Sequence, residues 1–66
     1  MKATRIIGID PGITITGFCV LDFIKSETKL VAYGVIKPPK KDRLERRLMY
    51  LYDEVLSLIA KFCPNI

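Results

Sequence analysis

The stretch Gly8-Ile-Asp-Pro-Gly-Ile-Thr-Ile-Thr-Gly-Phe-Cys-Val20 joins two strand-like runs through a tight turn. The run before the turn, residues 4–10, is nearly continuous in apolar residues, which suits a strand covered on both faces. At the turn, Pro11 fixes φ at about −65° and Gly12 permits a positive φ. The run after the turn, residues 15–24, is rich in β-branched and aromatic residues and predicts a second strand.

Asp10 is the candidate catalytic residue and the candidate metal ligand. Asp10 is the last residue of the first strand, so its carboxylate projects at the end of the sheet. Gly8 lies on the same face and leaves open space beside it. A carboxylate on a rigid strand can hold Mg²⁺, which prefers oxygen ligands, and two such ions can promote phosphodiester hydrolysis. From residues 8–12 alone, an ordinary turn is the more common explanation, because Asp, Pro and Gly are frequent turn formers.

A third strand is predicted after a short polar connection at Lys25–Thr28. Residues 29–37 have the same β-branched and aromatic character as the second strand, and Pro38-Pro39 ends them because proline cannot donate to a ladder. Both connections are of hairpin length, so we expect an antiparallel three-stranded meander.

An amphipathic helix is predicted over about residues 43–62. Asp42 and Glu45 have the D-x-x-E form of a capping box, which marks a helix start. The apolar residues that follow form one stripe, and its width favours packing against the sheet over a coiled coil. The stripe consists of Leu44, Leu48, Leu51, Val55, Leu58 and Phe62. The aromatic residues expected in the core are Phe18, Phe23, Tyr33 and Tyr52.

The end of the sequence indicates a further element. Pro64 ends the helix, and Asn65-Ile66 has the character of the approach to a strand parallel to an earlier one. The predicted fold class is α/β. Residues 1–66 are expected to be the N-terminal part of a single domain in a longer chain.

Composition limits the kinds of protein that this chain can be. Of 66 residues, half are hydrophobic and 27% are charged, which is globular composition, and the net charge of +4 suits a polyanionic partner only weakly. Without histidine or a CxxC pair a zinc site is not expected, and Cys19 and Cys63 are expected to be reduced packing residues. Neither a signal peptide nor a membrane-length apolar stretch is apparent, so we expect a soluble, cytoplasmic protein with no membrane partner.

A cluster of basic residues surrounds the start of the predicted helix. Its members are Lys37, Lys40, Lys41, Arg43, Arg46 and Arg47. Positive charge is disfavoured near a helix N-terminus, so the cluster suggests a phosphate-facing surface. The candidate nucleic-acid-binding residues are Lys40, Lys41, Arg43, Arg46 and Arg47. A solvated connector and helix face would explain the same charges and is the more common arrangement.

The residues from Gly8 to Val20 closely resemble the opening of RuvC-type Holliday-junction resolvases. In that family, G-x-D-P-G is followed by T-G-aromatic-x-V, positions that are Thr16, Gly17, Phe18 and Val20 here. The resemblance extends over all 66 residues, through two further strands, a basic connector and a helix containing Arg47-Leu-Met-Tyr-Leu-Tyr52. The D-P-G motif by itself would be a weak signal, whereas the combination is specific.

The resemblance implies an RNase H-like fold, a mixed sheet flanked by helices. It also implies a homodimer that cuts branched DNA, and a branch-migration helicase complex as a further partner. The family's active site gathers four acidic residues around Mg²⁺ or Mn²⁺, and Asp10 matches the first of them. The second is a Glu on the strand after the first helix, and the last two lie on a helix near the C-terminus. None of these three can be assigned in this chain, so a chain of this length is expected to be inactive alone.

Two other classes of protein remain open from the sequence. An actin-like ATPase or sugar kinase also opens with a strand, a D-x-G turn and a hairpin, although Pro11 and the T-G-F-x-V continuation look less like that family. Related nuclease-fold enzymes of pre-ribosomal RNA processing usually lack the proline, and CRISPR effector nucleases are far larger chains. The second open class is a non-enzymatic interaction fragment, whose helix stripe pairs with another chain.

Overall fold

A computed structural model of the protein describes residues 3–66. Within this range the chain forms β1 Thr4–Asp10, β2 Thr16–Ile24, β3 Glu27–Ile36 and α1 Leu44–Phe62. The strands lie in the order β1-β2-β3, and both pairings are antiparallel. The predicted antiparallel meander followed by a helix is therefore confirmed. No helix in residues 3–66 is both long and apolar enough to cross a membrane.

The hairpin between β2 and β3 is tighter than predicted. Ile24 pairs with Glu27, so only Lys25 and Ser26 lie between the strands. Lys25 has a φ of 58°, and a positive φ at the first turn position is what two-residue hairpin turns favour. Because this turn carries the ladder to its end, β3 begins at Glu27 instead of near residue 29.

One face of the sheet carries the small core of the described chain. On this face Val20 is fully buried and Ile36 is 5% exposed. Phe18 lies on the same face, and its ring covers Gly34 on β3, where a Cβ would lie 3.0 Å from the ring carbon Cε1. Glycine at this position therefore allows the aromatic ring to lie directly on the backbone of β3.

The opposite face of the sheet is open. Tyr33 is 75% exposed and Val35 is 57% exposed, and the strand register puts both on the face that carries Asp10. Core packing was predicted for Tyr33 and for Tyr52, which is 61% exposed on the helix. That prediction is wrong within residues 3–66, because no described element covers these side chains.

The start of α1 differs from the predicted capping box. The N-cap residue is Arg43, and its side chain makes no capping hydrogen bond. The amide of Asp42 donates to the carbonyl of Pro39 at 3.2 Å, so Asp42 belongs to a turn before the helix. The capping box over Asp42 and Glu45 is therefore wrong: the helix begins at Leu44, one residue too late for Asp42 to cap it.

The helix ends in a left-handed residue. Cys63 follows Phe62 with a φ of 47°, and its amide donates to the carbonyl of Ile59 at 2.8 Å. This conformation commonly closes a helix, although glycine is the usual residue there. Cys63 is free and exposed, so it does not have the packing role expected of it, whereas Cys19 is free and half-buried.

Two long-range hydrogen bonds define the direction of α1 relative to the sheet. Near its beginning, Arg47 Nη2 donates to the carbonyl of Ile13 in the β1–β2 turn at 3.0 Å. At its end, the carbonyl of Phe62 accepts from Arg5 Nη1 at 3.1 Å, near the start of β1. The helix therefore runs antiparallel to β1.

The apolar stripe of α1 packs only partly against the sheet. Leu51 and Val55 are half-buried, but Leu48 is 49% exposed and no helix residue of the described chain is buried. An apolar groove of about 700 Å³ separates the stripe from Ile9 and Ile13 at the end of β1. The predicted side of the helix faces the sheet, but the space between them is open.

After the helix, the chain returns to the free edge of β1. The amides of Asn65 and Ile66 donate to the carbonyl of Arg5 at 2.7 and 3.2 Å, and the amide of Ile7 donates to the carbonyl of Ile66 at 2.9 Å. The last two bonds are the pattern of a parallel bridge that places Ile66 beside Ile6. The predicted approach to a parallel strand is thus observed.

Arg5 joins the sheet, the helix end and this returning segment. Its Nε and Nη2 donate to the two carboxylate oxygens of Asp22 at 2.8 and 2.9 Å, and its amide donates to Oδ1 of Asn65 at 2.8 Å. The hydrogen bonds between the two side chains lower the pKa of Asp22 below its ordinary value and raise the pKa of Arg5. A charge-assisted pair with two parallel hydrogen bonds fixes the relative orientation of the guanidinium and the carboxylate.

Asp22→Asn is expected to reduce thermal stability at neutral pH. The pKa of Asp22 is depressed in the folded protein, so the ion pair stabilises the fold fully above the ordinary aspartate pKa of about 4. That stabilisation is lost as the pH falls through the folded pKa. Thermal melts at neutral and acidic pH should therefore show a smaller acid-induced loss in Asp22→Asn than in the wild type.

Asp53→Asn is the matched control for this experiment, because Asp53 is exposed and forms no ion pair within residues 3–66. An acid-induced loss of stability that is the same in Asp22→Asn and in the wild type would contradict the assignment.

Candidate active site at the end of β1

Asp10 occupies the predicted position at the last residue of β1. It pairs with Gly17 on β2 and is exposed. Ile9, its neighbour, faces the groove beneath α1, so the alternation of side chains directs Asp10 to the opposite face. The carboxylate therefore lies at the sheet end, on the face that the helix does not cover.

Two glycines keep the surroundings of Asp10 open. A Cβ at Gly17 would lie 3.8 Å from Cβ of Asp10, and a Cβ at Gly8 would lie 3.4 Å from Sγ of Cys19. Together these residues line a shallow depression of about 420 Å³. The open patch predicted from Gly8 is present, and Gly17 extends it on the neighbouring strand.

Gly12 shapes the turn after Asp10 in a different way from the one predicted. Its φ is not positive. The requirement for glycine instead comes from a close approach: a Cβ at Gly12 would overlap the carbonyl oxygen of Ile15. Any larger residue would force the turn that begins at Pro11 to open.

Thr16 closes the same turn with its side chain. Its hydroxyl donates to the carbonyl of Gly12 at 2.7 Å and accepts from the amide of Gly12 at 3.0 Å. Thr16 is only 3% exposed, so water cannot readily replace either bond. The first residue of β2 thus holds the segment that leaves Asp10 against the sheet.

The described residues offer one candidate metal ligand, the exposed carboxylate of Asp10. Within residues 3–66 no group of three or more His, Cys, Asp or Glu side chains comes together, and Asp10 is the one carboxylate among the described residues that line the depression. An exposed carboxylate on a rigid strand, beside open space, fits an oxygen ligand for Mg²⁺ or Mn²⁺. The thiol of Cys19 beside Gly8 is a soft ligand and does not suit these ions.

The basic residues separate into two groups. Lys40, Lys41, Arg43 and Arg46 are exposed, and none forms an ion pair in the described part of the chain. Arg46 lines a surface depression with Asp42, Glu45 and Asp53, so its surroundings carry mixed charge. Arg47 is half-buried and reaches the turn after Asp10. The structure therefore brings one predicted basic residue to the site and leaves the other four on the surface.

Sequence reasoning missed the roles of Thr16 and Arg47. For Thr16 a signal was available, because a Ser or Thr four residues after a turn glycine can bond its backbone locally. No local signal exists for Arg47, whose partner Ile13 lies 34 positions away.

A family model described as "Crossover junction endodeoxyribonuclease RuvC" matches residues 6–66, which include every residue of the site. The chain belongs to the RuvC family. This membership accounts for the α/β architecture: three antiparallel strands followed by a helix form the N-terminal portion of the RNase H-like fold of RuvC. It favours the nuclease interpretation over an actin-like ATPase or an interaction fragment.

Individual RuvC proteins align with nearly the whole chain. A crossover junction endodeoxyribonuclease RuvC from Xanthobacter autotrophicus is 41% identical over 65 residues, which are 98% of this chain and 38% of the relative. The one from Finegoldia magna is 39% identical over 92% of this chain and 37% of the relative. The one from Burkholderia mallei is 48% identical over 92% of this chain and 33% of the relative. The chain thus spans well under half the length of these curated relatives, and no solved structure matches it.

Thr16→Val is expected to destabilise the protein by about 1–3 kcal/mol, because it leaves both backbone groups of the half-buried Gly12 without their partner. Thr16→Ser is the matched control, since it keeps the hydroxyl and loses only a methyl group. Urea unfolding of the three proteins measures the difference. If valine proved as stable as serine, the hydroxyl would not be what holds the turn.

Proposed function

We propose that the full-length protein containing this chain is a structure-selective endonuclease that resolves four-way DNA junctions. It hydrolyses phosphodiester bonds with the help of Mg²⁺ or Mn²⁺ and acts in recombination and repair. Membership of a family whose members are crossover junction endodeoxyribonucleases supports this proposal. The single structural observation that carries it is the exposed carboxylate of Asp10 at the end of a rigid strand, beside the space left by two glycines.

The proposed role of Asp10 is to hold a divalent cation against the scissile phosphate. When bound, such a cation acts as a Lewis acid and lowers the pKa of bound water. The strand and the clamped turn fix the backbone of Asp10 on either side, so the carboxylate needs little reorganisation to bind. Gly8 and Gly17 leave room for a phosphate to approach the ion.

A continuation of the returning segment would give the proposed site a second source of ligands. The bridge between Ile66 and Ile6 sets the register of a strand parallel to β1. Ile6 and Asp10 share a face of β1, and a strand continuing in that register would reach the level of Asp10 at the fourth residue after Ile66. The resemblance to RuvC-type resolvases implies a glutamate on this strand, and the register is compatible with a carboxylate beside Asp10.

Branched DNA is the proposed substrate, and four exposed basic residues before and at the start of α1 are its proposed contacts. The exposed members of the set are Lys40, Lys41, Arg43 and Arg46. A homodimer, an association with a branch-migration helicase complex and a cytoplasmic location complete the proposal. The net charge of +4 is compatible with a polyanionic partner.

Asp10→Asn in the full-length protein is expected to reduce Mg²⁺-dependent cleavage of a synthetic four-way junction by roughly 10³-fold or more, because several kcal/mol of metal-assisted stabilisation would be lost. Binding of the junction in the absence of divalent ions should persist, since asparagine removes a negative charge near the DNA. Single-turnover cleavage and gel-shift titration measure the two quantities. Undiminished cleavage by Asp10→Asn would rule out the assigned role.

The 66-residue chain alone is expected to lack Mg²⁺-dependent junction cleavage, because one carboxylate makes a poor site for the ion. The purified chain would be incubated with labelled junction under conditions in which the full-length protein turns over. Cleavage by the short chain, abolished by Asp10→Asn, would mean that the other carboxylates are not needed.

A further inference from the structure

Arg46 and Arg47 are neighbours in sequence with the same charge, but their environments differ. Arg46 is exposed on the outer side of α1, beside Asp42 and Glu45. Arg47 is half-buried and points toward the β1–β2 turn. A shared role in binding phosphate would treat the two residues alike, whereas the structure separates them.

The contacts of Arg47 hold its side chain against the β1–β2 turn. Nη2 donates to the carbonyl of Ile13 at 3.0 Å and lies 3.5 Å from Oγ1 of Thr14. Nε is enclosed and finds no hydrogen-bond partner among residues 3–66. A guanidinium that only served a solvent-facing surface would keep this nitrogen hydrated.

The same turn is held from its other side. Thr16 bonds both backbone groups of Gly12, and Gly12 itself contacts the carbonyl of Ile15 too closely to admit a side chain. Arg47 supplies the remaining attachment, from the helix to Ile13. The segment that leaves Asp10 is therefore held between the first residue of β2 and the first turn of α1.

We propose that Arg47 is a positioning residue that fixes the turn after Asp10 and thereby the direction of the Asp10 carboxylate, and that it is not a phosphate contact. This inference rests on the proposed function, since it assigns Asp10 as a metal ligand. Mg²⁺ tolerates little departure from octahedral geometry, so a loosened turn weakens metal binding more than DNA binding.

The test compares Arg47→Gln with Arg46→Gln in the full-length protein, because both variants remove one positive charge from adjacent positions. Arg47→Gln is expected to raise the Mg²⁺ concentration for half-maximal cleavage roughly 10-fold, as for losses of residues that orient metal ligands. The salt dependence of its junction binding should stay the same. Arg46→Gln is expected to lower the slope of log K against log salt by about 0.9 if it meets one phosphate. Its Mg²⁺ requirement should not change.

A charge-conserving variant and a direct readout complete the design. Arg47→Lys keeps the charge but not the forked guanidinium, so it should still raise the Mg²⁺ requirement while preserving affinity for DNA. This variant carries the test if Arg47→Gln does not fold. Amide hydrogen exchange at Gly12, whose amide donates to the hydroxyl of Thr16, reports the turn directly and should accelerate in Arg47→Gln but not in Arg46→Gln.

The outcomes are distinguishable. A lowered salt slope for Arg47→Gln with an unchanged Mg²⁺ requirement would make Arg47 a phosphate contact and overturn the proposal. Unchanged exchange in the turn would also overturn it. If the wild-type protein cleaves no junction, the proposed function fails. Hydrogen exchange, together with a Mg²⁺ titration followed at the Asp10 amide, then still decides whether Arg47 holds the turn.

Discussion

The hydroxyl of Thr16 is the contact on which the candidate site depends. It forms hydrogen bonds with both the amide and the carbonyl of Gly12, and these bonds close the five-residue connection between β1 and β2 into a loop. Because Thr16 also begins β2, the same side chain ties the turn to the strand pairing that places Gly17 beside Asp10. A carboxylate on an unclamped loop would have to be ordered by the ligand that it binds, at an entropic cost.

The other end of β1 is organised by Arg5, which is the counterpart of that clamp. Its guanidinium spans from Asp22 on β2 to the last carbonyl of α1, and its backbone receives Asn65 and Ile66. The helix is thus attached at both ends by arginines, Arg5 and Arg47, while its apolar stripe remains apart from the sheet. In this chain polar contacts, more than a packed core, determine where the helix lies.

Local signals carried most of the prediction. Strand alternation and the turn residues located Asp10 and the meander, and the helical spacing of apolar residues located the helix, because each signal depends on neighbours within a few positions. The predicted capping box is wrong because the amide of Asp42 donates to the carbonyl of Pro39 in a turn before the helix. Glycine is needed at position 12 because the carbonyl of Ile15 leaves no room for a Cβ, and not because of a positive φ. The hydrogen bond between Arg47 and the carbonyl of Ile13 joins residues 34 positions apart, and no sequence periodicity predicts such a contact. The sequence assigns no further ligand to the proposed metal site, and residues 3–66 bring together no group of three or more His, Cys, Asp or Glu side chains.

The bridge between Ile66 and Ile6 has a consequence for how the family can vary in length. Residues added between β3 and α1 lie in the surface connector around Pro39–Asp42 and can be absorbed there without moving either strand. In the strand proposed to continue from Ile66, one added residue would instead reverse which face every later side chain occupies. Insertions and deletions among homologues should therefore be concentrated in the connector and avoided between Ile66 and the level of Asp10.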